Sequence, residues 1–287
     1  MPMTGRNSME TVARWGYGAR GIVYGLVGGL ALLAAAGNSG GQTGGSRSAL
    51  ETLLEQPFGK VWLGLIAIGL AGFAVWRIVE PITDADRLGS SWKALGRRAV
   101  HLVGGGIYGS LAFFALGLAL GWGSGRGGGE DRAAQDWTAW LLSQPFGQWL
   151  VGAIGLGIIG AGLAFIWKAW RGNVTEHLAL PGDTRRWAVP LGRLGFAARG
   201  VVFALVGWFL IGAALRSRSS EVKGLGGALD ALSAQPYGWV LLGLTAAGLF
   251  AFGMFGLVQA HYRQIDAPDL DDAGNQAARE LRKLRPS

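Results

Sequence analysis

Apolar positions along the chain form long runs that no charged residue interrupts. Four stretches contain no Asp, Glu, Lys or Arg: 21–46, 99–125, 137–167 and 231–262. Two shorter windows hold 16 uncharged residues each, 61–76 and 200–215. A helix that crosses a bilayer needs about 20 mostly apolar residues. The pattern therefore predicts six transmembrane helices, near residues 18–36, 60–79, 99–121, 149–168, 196–215 and 239–259.

Composition supports this interpretation. Only 15% of the residues are charged, whereas a soluble domain carries about a quarter. The 51 glycines are consistent with membrane helices, in which Gly is common. The chain contains no Cys, which excludes disulfides, thiol catalysis and Cys metal ligands. The expected fold class is all-α, a six-transmembrane-helix bundle.

The first apolar run also resembles a secretory signal sequence. Basic residues precede it, and the small residues Ala34–Gly37 follow as a candidate cleavage site. Matching helices recur later in the chain, however, and cleavage would leave an incomplete repeat. We therefore expect the first helix to be retained.

A four-residue motif, QP[FY]G, occurs three times, each time just before an apolar run. The copies are Gln56–Gly59, Gln144–Gly147 and Gln235–Gly238. Alignment on this motif divides the chain into repeats 1–97, 98–191 and 192–265, with a tail at 266–287. Each repeat comprises a helix, a Gly-rich loop, a short amphipathic helix, the motif and a second helix. An even number of helices keeps every copy in the same orientation, so we expect three parallel helical hairpins around a pseudo-threefold axis.

Charge predicts the orientation of these hairpins. Most of the 26 Lys and Arg lie near the two termini and in the loops after the second and fourth spans. The positive-inside rule then places both termini in the cytoplasm and the three motifs on the outer side of the membrane. The formal charge of +8 indicates attraction to anionic lipid headgroups rather than to nucleic acid.

The motif is expected to form an elbow between the short helix and the next span. Pro cannot continue the first helix but suits the first turn of the second. The aromatic ring suits the headgroup layer, and the Gln side chain is expected to bond free amides at the turn. The alternative is that the three Gln side chains converge on a ligand. The elbow residues are Gln56, Pro57, Phe58, Gly59, Gln144, Pro145, Phe146, Gly147, Gln235, Pro236, Tyr237 and Gly238.

Two longer stretches carry a resemblance to a known family. RWGYGARGIVYGLVGG at Arg14–Gly29 and RLGFAARGVVFALVG at Arg193–Gly207, with the repeated QP[FY]G motif, resemble bacterial membrane proteins of domain of unknown function 1206. The resemblance implies six spans in three two-helix repeats and implies no activity. The second copy departs from the pattern, because Gly104 stands where the others have Arg20 and Arg199.

Small residues and Arg recur on one face of the odd-numbered helices. The small residues allow close helix approach and are expected to pack against protein; they are Gly21, Gly25, Gly105, Gly109, Gly200 and Ala204. On the same face, Arg14, Arg98 and Arg193 are candidates for binding an anion in a shared vestibule. The alternative is that they cap the helices and meet lipid headgroups.

Arg20 and Arg199 lie near the expected membrane boundary. Each precedes an aromatic residue by four positions, Tyr24 or Phe203, at a spacing that permits a cation–π contact. Since a charge near a helix end reaches water at low cost, we expect these two residues to anchor their helices at the headgroups. A ligand site is the alternative.

Other chemistry is not indicated. No Asp or Glu lies inside a predicted span, which argues against a carboxylate proton relay. His101, His177 and His261 lack metal-ligand spacing, and no nucleophile arrangement is evident. We therefore expect no enzyme activity, cofactor or metal. The tail is expected to contain a short helix from Asp271.

Three functional hypotheses remain. The first is a non-catalytic membrane protein that packs with lipid or partner proteins. The second is a small carrier or channel, with a substrate path on the pseudo-threefold axis and an Arg-lined cytoplasmic mouth. The third is an accessory subunit of an envelope enzyme.

Overall fold

The computed structural model describes residues 4–38, 40–82, 92–122, 130–172, 174–176 and 178–263, and this part of the chain is helical. Six helices are long and apolar enough to cross a membrane. They are α1 (Thr4–Ala35), α3 (Gly59–Ile82), α4 (Trp92–Leu120), α6 (Gly147–Arg171), α7 (Gly182–Arg216) and α9 (Gly238–Tyr262). The six predicted spans are thus confirmed. The helix predicted from Asp271 lies outside the described residues.

Three short helices precede the even-numbered spans, as expected. They are α2 (Ser46–Leu54), α5 (Glu130–Leu142) and α8 (Leu225–Ser233). Polar contacts join them: the Gly224 amide donates to Asp131 Oδ1 at 2.6 Å, and Thr43 donates to the Asp230 carboxylate. The three motifs lie beside these helices, so we call this end of the bundle the motif end and the opposite end the termini end.

The long helices follow one another around the bundle in the order α4, α3, α1, α9, α7, α6. Each odd-numbered span packs against the even-numbered span of the preceding repeat, giving the pairs α1 with α9, α4 with α3 and α7 with α6. Within repeats 1 and 3 the two hairpin helices also pack together, α1 with α3 and α7 with α9. This order is consistent with three repeats around a pseudo-threefold axis. Among the described residues, the hairpin of repeat 2 (α4 and α6) makes no comparable contact.

Small residues lie where helices of different repeats cross. A Cβ added to Gly21 would lie 2.8 Å from the carbonyl oxygen of Gly253, and one added to Gly200 would lie 2.6 Å from that of Gly162. Gly105 approaches the carbonyl oxygen of Ala74 in the same way, at 3.3 Å. The other small residues of the predicted stripe lie at the same crossings: Gly25 beside Gly253, Gly109 beside Ala74 and Ala204 beside Gly162.

Helix α1 is an integral part of this bundle. Tyr17, Val27 and Ala31 are fully buried, and its glycines contact the backbone of α9. Removal of the first apolar run, as a signal peptidase would do, would expose matching faces of α3 and α9. The packing therefore supports retention of the first helix.

Each QP[FY]G motif forms the same tight turn. The Gly147 amide donates to the Gln144 carbonyl at 2.9 Å, and the two other copies have bonds of 2.9 and 2.8 Å. The aromatic residues are left-handed, with φ of 62° at Phe58, 61° at Phe146 and 59° at Tyr237. With Pro at the second position and a positive φ at the third, this is a type II turn. The aromatic side chains point outward and are 77% to 80% exposed.

Two details of the elbow differ from the expectation. The next helix begins at the glycine, so Pro precedes its first turn rather than occupying it. The Gln side chains donate to carbonyls rather than bonding amides: Gln144 Nε2 reaches Trp140 O and Gln235 Nε2 reaches Ala231 O, both at 3.3 Å. The reason is that a helix ends in unpaired carbonyls, and these can accept a hydrogen bond from the Gln side chain two residues beyond the helix end.

Candidate central site

Arg20 lies inside the bundle. Its side chain is 4% exposed, although α1 crosses the membrane here, and Nη2 donates to Gln259 Oε1 of α9 at 2.6 Å. Its guanidinium carbon also lies over three aromatic rings, 5.0 Å from Tyr17, 5.2 Å from Phe73 and 5.0 Å from Phe252. The charge is thus held by a polar amide and by the negative faces of aromatic rings.

Arg199 of α7 occupies a similar environment. Its guanidinium carbon lies 5.0 Å from the ring centres of Phe165, Phe203 and Phe252. The ring of Tyr24 is 5.5 Å away, and the Tyr108 hydroxyl lies within hydrogen-bonding reach. Because these side chains come from α1, α4, α6, α7 and α9, Arg199 lies where the three repeats meet.

We call this group of side chains the central cluster. Its members are Arg20, Tyr24, Phe73, Tyr108, Arg199, Phe252 and Gln259. The Tyr24 and Tyr108 hydroxyls interact with each other, which joins α1 to α4 across the interior. Tyr24 and Tyr108 are equivalent positions of repeats 1 and 2, and the equivalent in repeat 3 is Phe203. The contribution of equivalent positions from all three repeats is consistent with the expected pseudo-threefold arrangement.

Two of the repeats place the same pair of residues in this cluster. Arg20 over Phe73 in repeat 1 corresponds to Arg199 over Phe252 in repeat 3. Repeat 2 has Gly104 and Ala161 at these two positions and so lacks both the cation and the ring. A Cβ added to Gly104 would meet no atom within 4 Å, which leaves open space where a third Arg would stand.

The cluster carries positive charge without a matching negative charge. The groups that act electrostatically on Arg20 are tyrosines and two further arginines, Arg199 and Arg77, while Arg199 is acted on by Tyr24 and Tyr108. Within the described residues, neither Arg20 nor Arg199 has a carboxylate partner, and Nε of each is buried without a hydrogen-bond acceptor. A charged residue within a span costs about 3 kcal/mol on insertion scales. The arrangement is suited to an anion, which would supply the missing charge.

The arginines that the sequence indicated as candidate sites differ in their exposure. Arg193 is exposed at the termini end, and Arg14 and Arg98 are half-buried. Arg199 makes the expected contact with Phe203, four residues on, whereas the rings over Arg20 are Tyr17, Phe73 and Phe252. Arg20 is enclosed by the side chains of the bundle, whereas the sequence favoured a position at the membrane boundary.

Sequence reasoning missed the partners of these arginines. Phe73 lies on α3, and Phe252 and Gln259 lie on α9, which are the second helices of repeats 1 and 3. A comparison of the copies contains a signal for the rings, since Phe accompanies Arg in repeats 1 and 3 and both are absent from repeat 2. Among the described residues, no group of three or more His, Cys, Asp or Glu has the arrangement of a metal site; His177 lies outside them.

Comparisons with known proteins agree on the repeat structure. A family model with the description Domain of Unknown Function (DUF1206) matches three segments, 15–84, 99–172 and 194–263. An uncharacterized protein of Bacillus subtilis (strain 168), YxxB, is 35% identical over 264 residues, which cover 90% of this chain and 92% of that protein. No solved structure matches.

Proposed function

This chain belongs to the DUF1206 family, and from that premise we propose that it is a non-catalytic membrane protein whose bundle binds an anionic group at the central cluster. The observation that carries the proposal is the pair of cations, the buried Arg20 and the half-buried Arg199, which lie among aromatic rings without a carboxylate partner among the described residues.

The chemistry of the cluster favours an anion with two or more oxygens. A guanidinium presents planar, parallel donors that match a carboxylate or a phosphate, and such bonds are about twice as strong as neutral ones. Arg20 uses Nη2 on Gln259, and its Nε has no acceptor. The open space beside Gly104, one turn before Tyr108 on α4, offers room for such a group.

The same geometry favours binding over catalysis. The cluster contains cations, phenols, rings and an amide, but none of the Ser, His or carboxylate groups that act as nucleophile or base in hydrolysis. A carrier needs its substrate path to open at an end of the bundle. Arg20, at 4% exposure, is enclosed on several sides by aromatic rings, which supports a resident ligand over a transported one. We place the protein in a bacterial plasma membrane with both termini in the cytoplasm, because of the distribution of Lys and Arg.

Thermal unfolding in a neutral detergent tests the proposal. Decyl phosphate, an anionic single-chain amphiphile, is titrated into the purified protein while Trp fluorescence reports the unfolding midpoint. A ligand that binds only the folded state at 100 times its Kd stabilises by about 2.7 kcal/mol. We expect a clear rise in Tm for the wild type and no rise with the neutral amphiphile decyl maltoside.

Three variants locate the response. Arg199→Gln is expected to abolish it, and Arg199→Lys to retain part of it, because Lys keeps the charge but loses the paired donors. Arg193→Gln is the matched control, since Arg193 is exposed at the termini end of the same helix. An undiminished response in Arg199→Gln would contradict the proposal.

A further inference from the structure

The hairpin of repeat 2 is open along its length where the other two hairpins are closed. In repeat 1, a Cβ added to Gly69 would lie 2.5 Å from Ala19 Cβ, and in repeat 3 one added to Gly248 would lie 2.4 Å from Ala198 Cβ. The equivalent of both glycines in repeat 2 is Gly157, and a Cβ there would meet nothing within 4 Å. A seam therefore runs between α4 and α6.

Exposure along α4 confirms the opening. Ala19 and Ala198 are 6% and 7% exposed, whereas their equivalent on α4, Val103, is 63% exposed. One turn further, Ile107 is 57% exposed although its equivalents Val23 and Val202 are buried. Among the described residues, nothing covers this face of α4.

The sequence of repeat 2 explains why its hairpin stays open. In repeats 1 and 3 the backbone of the second helix approaches a glycine of the first. A Cβ added to Gly16 would lie 2.8 Å from Phe73 Cα, and one added to Gly195 would lie 2.6 Å from Phe252 Cα. Repeat 2 has Val100 at that position and Val103 in place of the alanine. Two β-branched side chains prevent the approach that Gly and Ala permit.

The seam leads inward to the central cluster. Arg199 lies between the two helices that border it: the Tyr108 hydroxyl of α4 is within hydrogen-bonding reach, and the Phe165 ring of α6 is 5.0 Å away. Gly104, beside the open space, is on α4 one residue after Val103. The seam thus has apolar walls and a cationic inner end.

We infer that this seam admits an anionic lipid of the surrounding bilayer, with its charged group at Arg199 and Arg20 and an acyl chain along Val103, Ile107 and Gly157. The inference rests on the proposed function and names its ligand. The occupant must be apolar where it meets the seam and negative where it meets the cluster, and an anionic lipid combines both properties. An acyl chain also conforms to an irregular apolar gap.

The depth of the cluster in the membrane indicates from which leaflet the lipid comes. Phe73, under Arg20, is six residues before Val79, the end of the second candidate span. At 1.5 Å per residue, the cluster lies about 9 Å inside the termini end. The lipid therefore comes from the leaflet at that end, where its headgroup needs to move inward only by that distance.

Blocking the seam tests the inference. The probe is phosphatidylglycerol titrated into detergent-purified protein, with phosphatidylcholine as the zwitterionic comparison and glycerol phosphate as the free headgroup. Of these three probes, we expect only phosphatidylglycerol to raise Tm. Gly157→Trp and Val103→Trp fill the seam from opposite sides and are expected to raise the concentration for half-maximal stabilisation about tenfold or more, which corresponds to 1.4 kcal/mol.

Leu156→Trp is the matched control, because Leu156 is adjacent to Gly157 but faces away from the seam. It is 64% exposed, and its equivalent in the closed hairpin of repeat 1, Ile68, is also exposed, at 72%. It should respond as the wild type does. If both seam variants also respond as the wild type does while Arg199→Gln does not respond, a lipid does not occupy the seam, but the anion site at the central cluster is still supported. If Arg199→Gln retains the response, the proposed function itself fails. Equal stabilisation by glycerol phosphate would identify a soluble anion and overturn the lipid assignment.

Discussion

At the scale of single residues, the three elbows show how a short motif fixes a backbone shape. Each aromatic residue has a left-handed conformation that L-residues rarely adopt, at a cost of roughly 1–2 kcal/mol. The conformation turns a large ring outward at the end of a span, where an interfacial aromatic stabilises the helix position. The sequence indicates a turn through Pro, but nothing about Phe or Tyr predicts a positive φ.

The glycine that ends each motif has a different role. A Cβ at Gly147 would lie 2.0 Å from the Leu141 carbonyl oxygen. In the two other copies, a Cβ at Gly59 or Gly238 would lie 2.4 or 2.0 Å from a carbonyl oxygen of the preceding short helix. Glycine is therefore required because the new helix begins against the carbonyl end of the old one.

Gly147→Ala is expected to destabilise the protein by about 1–3 kcal/mol, since the contact is with backbone that cannot move aside. The measurement is the Tm of purified protein in a neutral detergent. Gly157→Ala, on the same helix but with nothing within 4 Å, is the control and should leave Tm unchanged or slightly higher. Equal losses in the two variants would contradict this account of the elbow.

At the scale of the elements, the sequence predicts the spans well because charge marks where the hydrocarbon begins. It locates helix ends less well, because charge marks the edge of the hydrocarbon and not the point where the helix ends. The fifth span was expected from residue 196, yet α7 begins at Gly182 and contains Pro190. Residues 182–195 are rich in Arg, so the apolar pattern stops there, but a helix continues wherever its backbone hydrogen bonds can form.

The contact between α6 and α7 depends on glycines that face each other. A Cβ at Gly162 would lie 2.7 Å from the carbonyl oxygen of Gly200, whereas one at Gly160 would meet nothing within 4 Å. In the membrane, association relies on this close packing, because lipid chains are as apolar as the helices.

Gly162→Leu is accordingly expected to separate α6 from α7, and Gly160→Leu to be tolerated. Cysteines placed across the interface, at Gly152 and Ala214, can measure the separation by the yield of disulfide crosslinking in membranes, because a Cβ at Gly152 would lie 3.9 Å from Ala214 Cβ. The chain has no natural Cys to interfere. The crosslink should form in the parent and in Gly160→Leu and be lost in Gly162→Leu. Retention of the crosslink in Gly162→Leu would show that the crossing tolerates bulk.

At the scale of the whole molecule, the sequence predicts three parallel hairpins but not their unequal closure. The tripled motif and the matching Gly and Arg positions are visible as repeats, so the architecture follows from them. The seam depends on Val100, Val103 and Ala161, which differ from their counterparts only in size and shape. Such differences acquire meaning once it is known which residues approach a neighbouring helix.

The orientation of the whole molecule can be tested directly. Six spans require both ends of the described bundle to lie on one side of the membrane. Epitope tags at the amino and carboxyl termini should both be inaccessible to antibody in intact spheroplasts and accessible after lysis. A tag at Gly40, in the loop at the motif end, should be accessible in both conditions. Loss of the amino-terminal tag from the mature protein would show that the first helix is removed.

The pairing of α1 with α9 has a consequence for biosynthesis. Arg20 of α1 is synthesised before its acceptor Gln259 of α9, which follows 239 residues later. Until α9 is inserted, this guanidinium lacks its amide partner and the glycine face of α1 lacks its counterpart. A nascent chain that lacks α9 therefore exposes a charge and a glycine face that the complete bundle encloses.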